Sequence, residues 1–262
     1  MIIMSIAVLG GISATLAICI AIALNKFKVE TDPRFEGVRA VLPGANCGAC
    51  GCVGCDDFAQ ALLDAKARPE NCPVGGQSLV KQLLDLLGGH ETHVRRMVAH
   101  VRCLGDSEKS VPNYEYQGMD SCWGAAVLAA EGSKSCTYGC LGSGSCKVSC
   151  KFNAIKIINH IAVIDDSHCV GCGFCIVVCP KGLIEMVPFE SKIRVGCNAK
   201  DDGKTTKQHC SIGCIGCKIC TRNCEPAAAH MDGHLARIHY DKCNMCGACM
   251  KKCPAKCIVE HI

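Results

Sequence analysis

The chain has 262 residues, 27 of them cysteine, with 28 Lys and Arg against 24 Asp and Glu and only 4% aromatics. So few aromatics exclude a large conventional core, and an odd number of thiols in ligand-spaced runs excludes a secreted disulfide scaffold and points to a reducing compartment. The formal charge of +4 counts cysteine as neutral; thiolate ligation drives it down, which removes the Lys and Arg excess as a nucleic-acid footprint and implies no nucleic-acid partner.

In chain order, residues 1–25 carry no charge, and MIIMSIAVLGGISATLAICIAIAL predicts one transmembrane helix, in the lipid bilayer through residues 2–24. No positive charge precedes the run and no small-residue cleavage site follows it, so it does not read as a secretory signal. Lys26 and Lys28 follow, which by the positive-inside rule predicts a single-pass protein of the cytoplasmic membrane, amino terminus outside and the rest cytoplasmic. Within the run Cys19 reads as a small apolar residue.

After a linker at 26–33, an N-terminal cluster domain over 34–90 carries Cys47, Cys50, Cys55 and Cys72. Gly48, Gly51 and Gly54 let the backbone bring N–H groups toward cluster sulfurs. Asp56 is placed to cap a helix running to about Ala67, and Pro69 ends that helix and returns the chain to Cys72. A zinc site is the alternative reading of these four cysteines; Cys52, between ligands, is not counted among them. Residues 78–102 predict helical segments broken at Gly88 and Gly89, with His90, His93 and His100 solvated or packed. Residues 91–133 read as a connector with one short helix around Trp123 to Ala130.

From Cys136 onward a 74-residue unit is written twice. Cysteines at 136, 140, 146, 150, 169, 172, 175 and 179 recur at 210, 214, 220, 224, 243, 246, 249 and 253, and Pro180 recurs as Pro254. Each unit ends in a CxxCxxCxxxCP run, from Cys169 and from Cys243, whose first three thiolates wrap one cubane while the fourth serves the neighbouring cluster of a pair. Alternating strands turning at Asn159-His160, and again at Asp232-Gly233, predict a hairpin between the two cluster loops of each unit. The expected units are 134–190 and 191–262. The crossed scheme predicts Cys136, Cys140 and Cys146 with Cys179; Cys169, Cys172 and Cys175 with Cys150; Cys214, Cys217 and Cys220 with Cys253; and Cys243, Cys246 and Cys249 with Cys224. Cys136 is expected to stand in for a ligand missing from the first loop, where Ser143 occupies the place of Cys217.

With the N-terminal four this makes at least five [4Fe-4S] clusters. Cys103, Cys122, Cys197 and Cys210, or a subset, are candidate ligands of a sixth, against a reading as buried thiols that pack the connectors; Cys19, Cys52 and Cys257 are left over. Fully ligated clusters have no open iron for a substrate, so their work is one-electron transfer, and no nucleotide-binding, hydrolytic or other catalytic motif competes. The fold class expected is α+β: an N-terminal transmembrane helix, a small helical four-cysteine iron-sulfur domain, and tandem two-cluster ferredoxin-like units.

The apolar run, the site CGACGCVGC followed by NCPVGG, and the tandem units together resemble the B subunit of the Rnf complex, the ion-translocating ferredoxin:NAD oxidoreductase. The resemblance covers essentially the whole chain and is to the longer, polyferredoxin form. Cys52, where an aromatic residue is common, and Lys151, where proline is usual, depart from it. It implies an electron-transfer subunit with no substrate site of its own, fed by soluble ferredoxin and delivering to membrane-complex subunits that carry flavin and NAD sites, coupled to sodium or proton movement. Lys151, Lys181, Lys192, Arg194, Lys200, Lys204 and Lys207 are the basic side chains expected to meet an acidic ferredoxin. The other readings open on the residues are a relay subunit of another membrane oxidoreductase and a zinc-bound scaffold or cluster carrier.

Overall fold

A computed structural model describes residues 2–26, 32–90, 92–128 and 132–261. Helix α1 spans Ile2–Lys26. Its side chains are described at residues 10–23 and 26, and all of these are exposed. Among the described residues no helix is long and apolar enough to cross a membrane. This corrects the expected transmembrane helix. The orientation read from Lys26 and Lys28 loses its basis with it, and most of the linker, 27–31, lies outside the described residues.

Three helices build the N-terminal domain: α2 (Phe35–Val41), α3 (Cys55–Leu63) and α4 (Gly76–Leu87). Apolar residues at helical spacing, Phe58, Ala59 and Leu62 on α3 and Leu79 and Leu83 on α4, meet Val38 and Leu42 in one buried cluster. Each large side chain so buried contributes about 1.5–3 kcal/mol. Helix α3 stops short of Ala67, because Ala65 turns left-handed. Gly54, not Asp56, precedes its first turn; Asp56 lies within that turn and pairs with Arg39. A 3-10 turn at Pro69–Asn71 leads into Cys72, as the proline implied.

Residues 89–90 and 92–96 are not helical. Met97–Val101 forms strand β1, and its partner is β4 (Ile184–Pro188), with Val101 opposite Ile184. Between them lie α5 (Cys122–Leu128), α6 (Ser145–Val148), the hairpin β2 (Ile155–Ile158) with β3 (Ile161–Ile164), and α7 (Phe174–Val178). Asn159 and His160 both take positive φ in the hairpin turn, the conformation a two-residue turn demands. The second unit repeats the plan: β5 (Ile193–Val195) pairs with the last strand β8 (Ile258–Glu260), enclosing α8 (Gly203–His209), α9 (Ile219–Arg222), the hairpin β6 (Ala229–Asp232) with β7 (Leu235–Ile238), and α10 (Ala248–Lys251). Its hairpin turns at Gly233 and His234, one residue later than expected. Each unit is thus closed by its first and last strands, and the stretch read as a connector contributes the first strand of unit one.

Val195 faces Ile258 as Val101 faces Ile184, so His100 is equivalent to Arg194 and Cys103 to Cys197. The units meet through these equivalent segments. Leu104 donates its N–H to the Gly196 carbonyl at 3.0 Å, and His100 Nε2 lies 3.1 Å from the Val195 carbonyl. Burial lowers the His100 pKa to about 4, which keeps the ring neutral. Arg194, expected on a docking surface, is instead fully buried and grips Asp166 of the first unit at 2.5 and 3.1 Å.

Candidate iron-sulfur sites

The N-terminal cysteines sit on a loop that ends at the start of α3. Gly48 and Gly51 take positive φ. Gly54 is extended, and a Cβ there would stand 3.1 Å from Asn46 Oδ1, the atom that accepts the Cys55 N–H at 2.8 Å. Cys72 is buried and its thiol is pushed up, mainly by burial, with the sulfurs of Cys50 and Cys47 adding to the effect. Cys52 borders Cys50, and burial raises its thiol too.

In the first unit, Cys150, Cys169, Cys172 and Cys175 line one cavity with Ala99, Ile155 and Ile164. Ala99 on β1 donates its N–H to Cys169 Sγ at 3.4 Å. Burial, then the Cys169, Cys172 and Cys150 sulfurs, push the Cys175 thiol up to about 12. The cavity brings together the four cysteines of one expected set.

The neighbouring cavity does not. Cys140, Cys146 and Cys179 line it with Cys122, and Cys136 is not there. Cys122, the first residue of α5, donates its N–H to Ser145 Oγ at 2.9 Å, which docks that helix against the cluster loop. A turn closed by the Gly139 N–H on the Cys136 carbonyl carries Cys136 away toward the second unit. Cys122 therefore occupies the place in space that Ser143 leaves empty in the loop.

In the second unit Cys214, Cys217, Cys220 and Cys253 line one cavity, joined by the buried Cys257, whose Sγ is 3.7 Å from Cys253 Sγ. Cys224, Cys243, Cys246 and Cys249 form the last group. The Ala229 N–H reaches Cys224 Sγ at 3.2 Å, and burial followed by the Cys243, Cys224 and Cys246 sulfurs raises the Cys249 thiol. Cys246 is exposed.

The donor chemistry fits cubane clusters: four thiols to a group, with main-chain N–H groups aimed at the sulfurs. Among the described residues, no three His, Cys, Asp or Glu side chains converge as a single ion requires; in three of these sets the four cysteines line one cavity instead. The groups also adjoin one another. Cys47 lies close enough to Cys172 to raise its thiol, and Lys151 Nζ reaches the Asn46 carbonyl at 3.3 Å. Cys175 is near enough to act on Cys146, and Cys249 on Cys220.

A family model described as "Putative Fe-S cluster" matches residues 42–74, and one described as "4Fe-4S binding domain" matches 162–185 and 236–259. The chain is 38% identical to the B subunit of an ion-translocating oxidoreductase complex of Methanosarcina acetivorans, over 97% of this chain and 96% of that one. It is 39% identical to the B subunit of the Na(+)-translocating ferredoxin:NAD(+) oxidoreductase complex of Acetobacterium woodii, over 98% of this chain and 77% of that one. It is 37% identical to the B subunit of the proton-translocating ferredoxin:NAD(+) oxidoreductase complex of Clostridium ljungdahlii, over 98% and 92%. With near-complete coverage and the cluster-binding matches inside it, this chain belongs to the family of B subunits of ion-translocating oxidoreductase complexes.

Proposed function

We propose that the chain takes electrons from a reduced ferredoxin and relays them, through [4Fe-4S] sites in series, to partner subunits with flavin and NAD sites in an ion-translocating, membrane-associated complex. The observation that carries this reading is the adjacency of the cysteine groups from the N-terminal domain into the ferredoxin units. The clusters, when bound, supply one-electron transfer.

The ligand sets we propose are Cys47, Cys50, Cys55 and Cys72; Cys150, Cys169, Cys172 and Cys175; Cys122, Cys140, Cys146 and Cys179; Cys214, Cys217, Cys220 and Cys253; and Cys224, Cys243, Cys246 and Cys249. The residues around them exclude water and aim main-chain N–H groups at the thiolates, which tunes the potential of each site. The exposed Cys246 loop offers an entry, with Lys200, Lys204 and Lys207 exposed on the same unit. Lys192 is exposed as well, whereas Lys181 is half-buried and Lys151 is engaged with the N-terminal domain. Lysines placed this way steer an acidic redox partner, an effect that salt screens.

Changing Lys200, Lys204 and Lys207 to Glu is expected to slow reduction of the chain by ferredoxin about tenfold at low salt and to flatten its ionic-strength dependence. Unchanged rates and an unchanged salt slope in stopped-flow measurements would refute docking on this face.

A further inference from the structure

We infer that Cys103, Cys136, Cys197 and Cys210 form a sixth four-thiolate site, for a [4Fe-4S] cluster held jointly by the two ferredoxin units. All four line one cavity between the units. Two come from each unit and they are equivalent in pairs: Cys103 follows β1 as Cys197 follows β5, and Cys136 recurs as Cys210 in the 74-residue repeat. The equivalence that makes Cys136 a poor ligand for its own unit makes it a matched ligand here.

The site is built rather than incidental. Cys103, Cys197 and Cys210 are buried. Cys210 leaves the end of α8, whose start is capped by Asp202 through the N–H groups of Lys204 and Thr205, and it bridges to Ser110 of the first unit. A Cβ on Gly105 would stand 3.0 Å from Cys210 Sγ and 3.9 Å from Cys103 Sγ, so a bare backbone is what lets the chain lie against both sulfurs. Main-chain N–H groups point at the thiols: Cys140 to Cys103 Sγ at 3.4 Å and Cys214 to Cys197 Sγ at 3.2 Å, with Tyr138 at Cys136 and Ala199 at Cys197.

The cavity is lined by Lys134 and Arg102 and by no carboxylate, as a cluster with four thiolates requires. Lys134 Nζ is fixed there by the carbonyls of Gly105, at 2.7 Å, and His160, at 3.1 Å. Thiols that only filled space would need neither the cation nor the converging amides.

The donors to Cys103 and Cys197 are the amides of Cys140 and Cys214, themselves ligands in the sites on either side. This inference rests on the relay reading and completes it, since a sixth site here joins two cluster pairs that otherwise have no thiolate group between them. It also accounts for every cysteine except Cys19, Cys52 and Cys257.

The test is iron and acid-labile sulfide per chain, with electron paramagnetic resonance of the dithionite-reduced protein, on the full chain purified anaerobically with its complex. We expect about 24 irons in the unaltered chain and about 20 in Cys136→Ala/Cys210→Ala, with one paramagnetic component lost and the others retained. Cys103→Ala/Cys197→Ala removes the same component through the other ligand pair, so that failure of one variant to fold leaves the question answerable. Cys257→Leu should keep the full count. About 20 irons in the unaltered chain with the remaining signals intact, or unchanged counts in both double variants, overturns the sixth site and leaves the relay standing; a chain without iron overturns both.

Discussion

The two ferredoxin units share one plan and reach it by different covalent routes. In the second, Cys217 sits in the loop between Cys214 and Cys220. In the first, the loop has Ser143 at that position, and the cavity is completed by Cys122, on a helix that the longer excursion after β1 swings back over the loop. A second contrast lies at the closing strand, where the second unit buries Cys257 and the first buries Leu183. A third lies at the interface, where neutral His100 meets its charged equivalent, Arg194. Position in space is what the repeat preserves; the residue that fills it is free to come from elsewhere in the chain.

The largest effect should come from moving the ligand. Cys122→Ser should remove about four irons from the first unit. Adding Ser143→Cys to that variant should restore them by giving the first loop the spacing of the second. Cys136→Ser should leave the signals of this site in place. Iron counts with the paramagnetic spectrum decide it: if Cys122→Ser keeps every cluster, the loop is completed by another residue and the contrast between the units fails.

Next in size is the clasp between the units. Arg194→Ala leaves Asp166, only 12% exposed at its side chain, without its guanidinium. Breaking a buried pair in this way costs about 3–5 kcal/mol. The check is guanidinium unfolding of the cluster-loaded chain followed by visible absorbance, and a loss below about 1 kcal/mol would mean that the units hold together without this pair.

The smallest effect concerns Cys257. Its thiol lies beside Cys214 and Cys253, and its hydrogen bonds lower the thiol pKa of both, to about 6 for Cys214 and about 5 for Cys253. At the equivalent place Leu183 offers Cys179 Sγ only its N–H, at 3.5 Å. A hydrogen bond to a charged sulfur, worth about 1 kcal/mol more in the reduced state than in the oxidised, raises a one-electron potential by on the order of 40 mV. Cys257→Leu should therefore lower the potential of the Cys214 site by about that amount while leaving the first unit unchanged, as read by potentiometric titration.

These contrasts also separate what is legible in the sequence from what is not. The CxxCxxCxxxCP runs and both hairpins can be read because their signals are local, a fixed ligand spacing and a period-two alternation around turn residues. Strand β1 cannot: its pairing partner is β4, more than eighty residues on, and HETHVRRMVAHV carries too few β-branched residues to announce a strand. Cys136 takes the place of Cys122 in a sequence reading for the same reason, since nearness along the chain favours Cys136 and only the folded excursion brings Cys122 to the cavity. Arg194 reads as surface charge because burial of an arginine depends on a partner, Asp166, that no local pattern names.

The closure of each unit by its first and last strands bears on how the molecule is made. While β1 has left the ribosome, β4 is still to be translated, and at about 5–20 residues per second the gap lasts on the order of 5–20 s. Through that interval the thiols of the first unit lack the closing β1–β4 sheet, so cluster delivery has to follow strand closure or cover the thiols until it occurs. The second unit then closes against a finished neighbour, and assembly acquires a direction, from the amino-terminal pair of sites to the carboxy-terminal one.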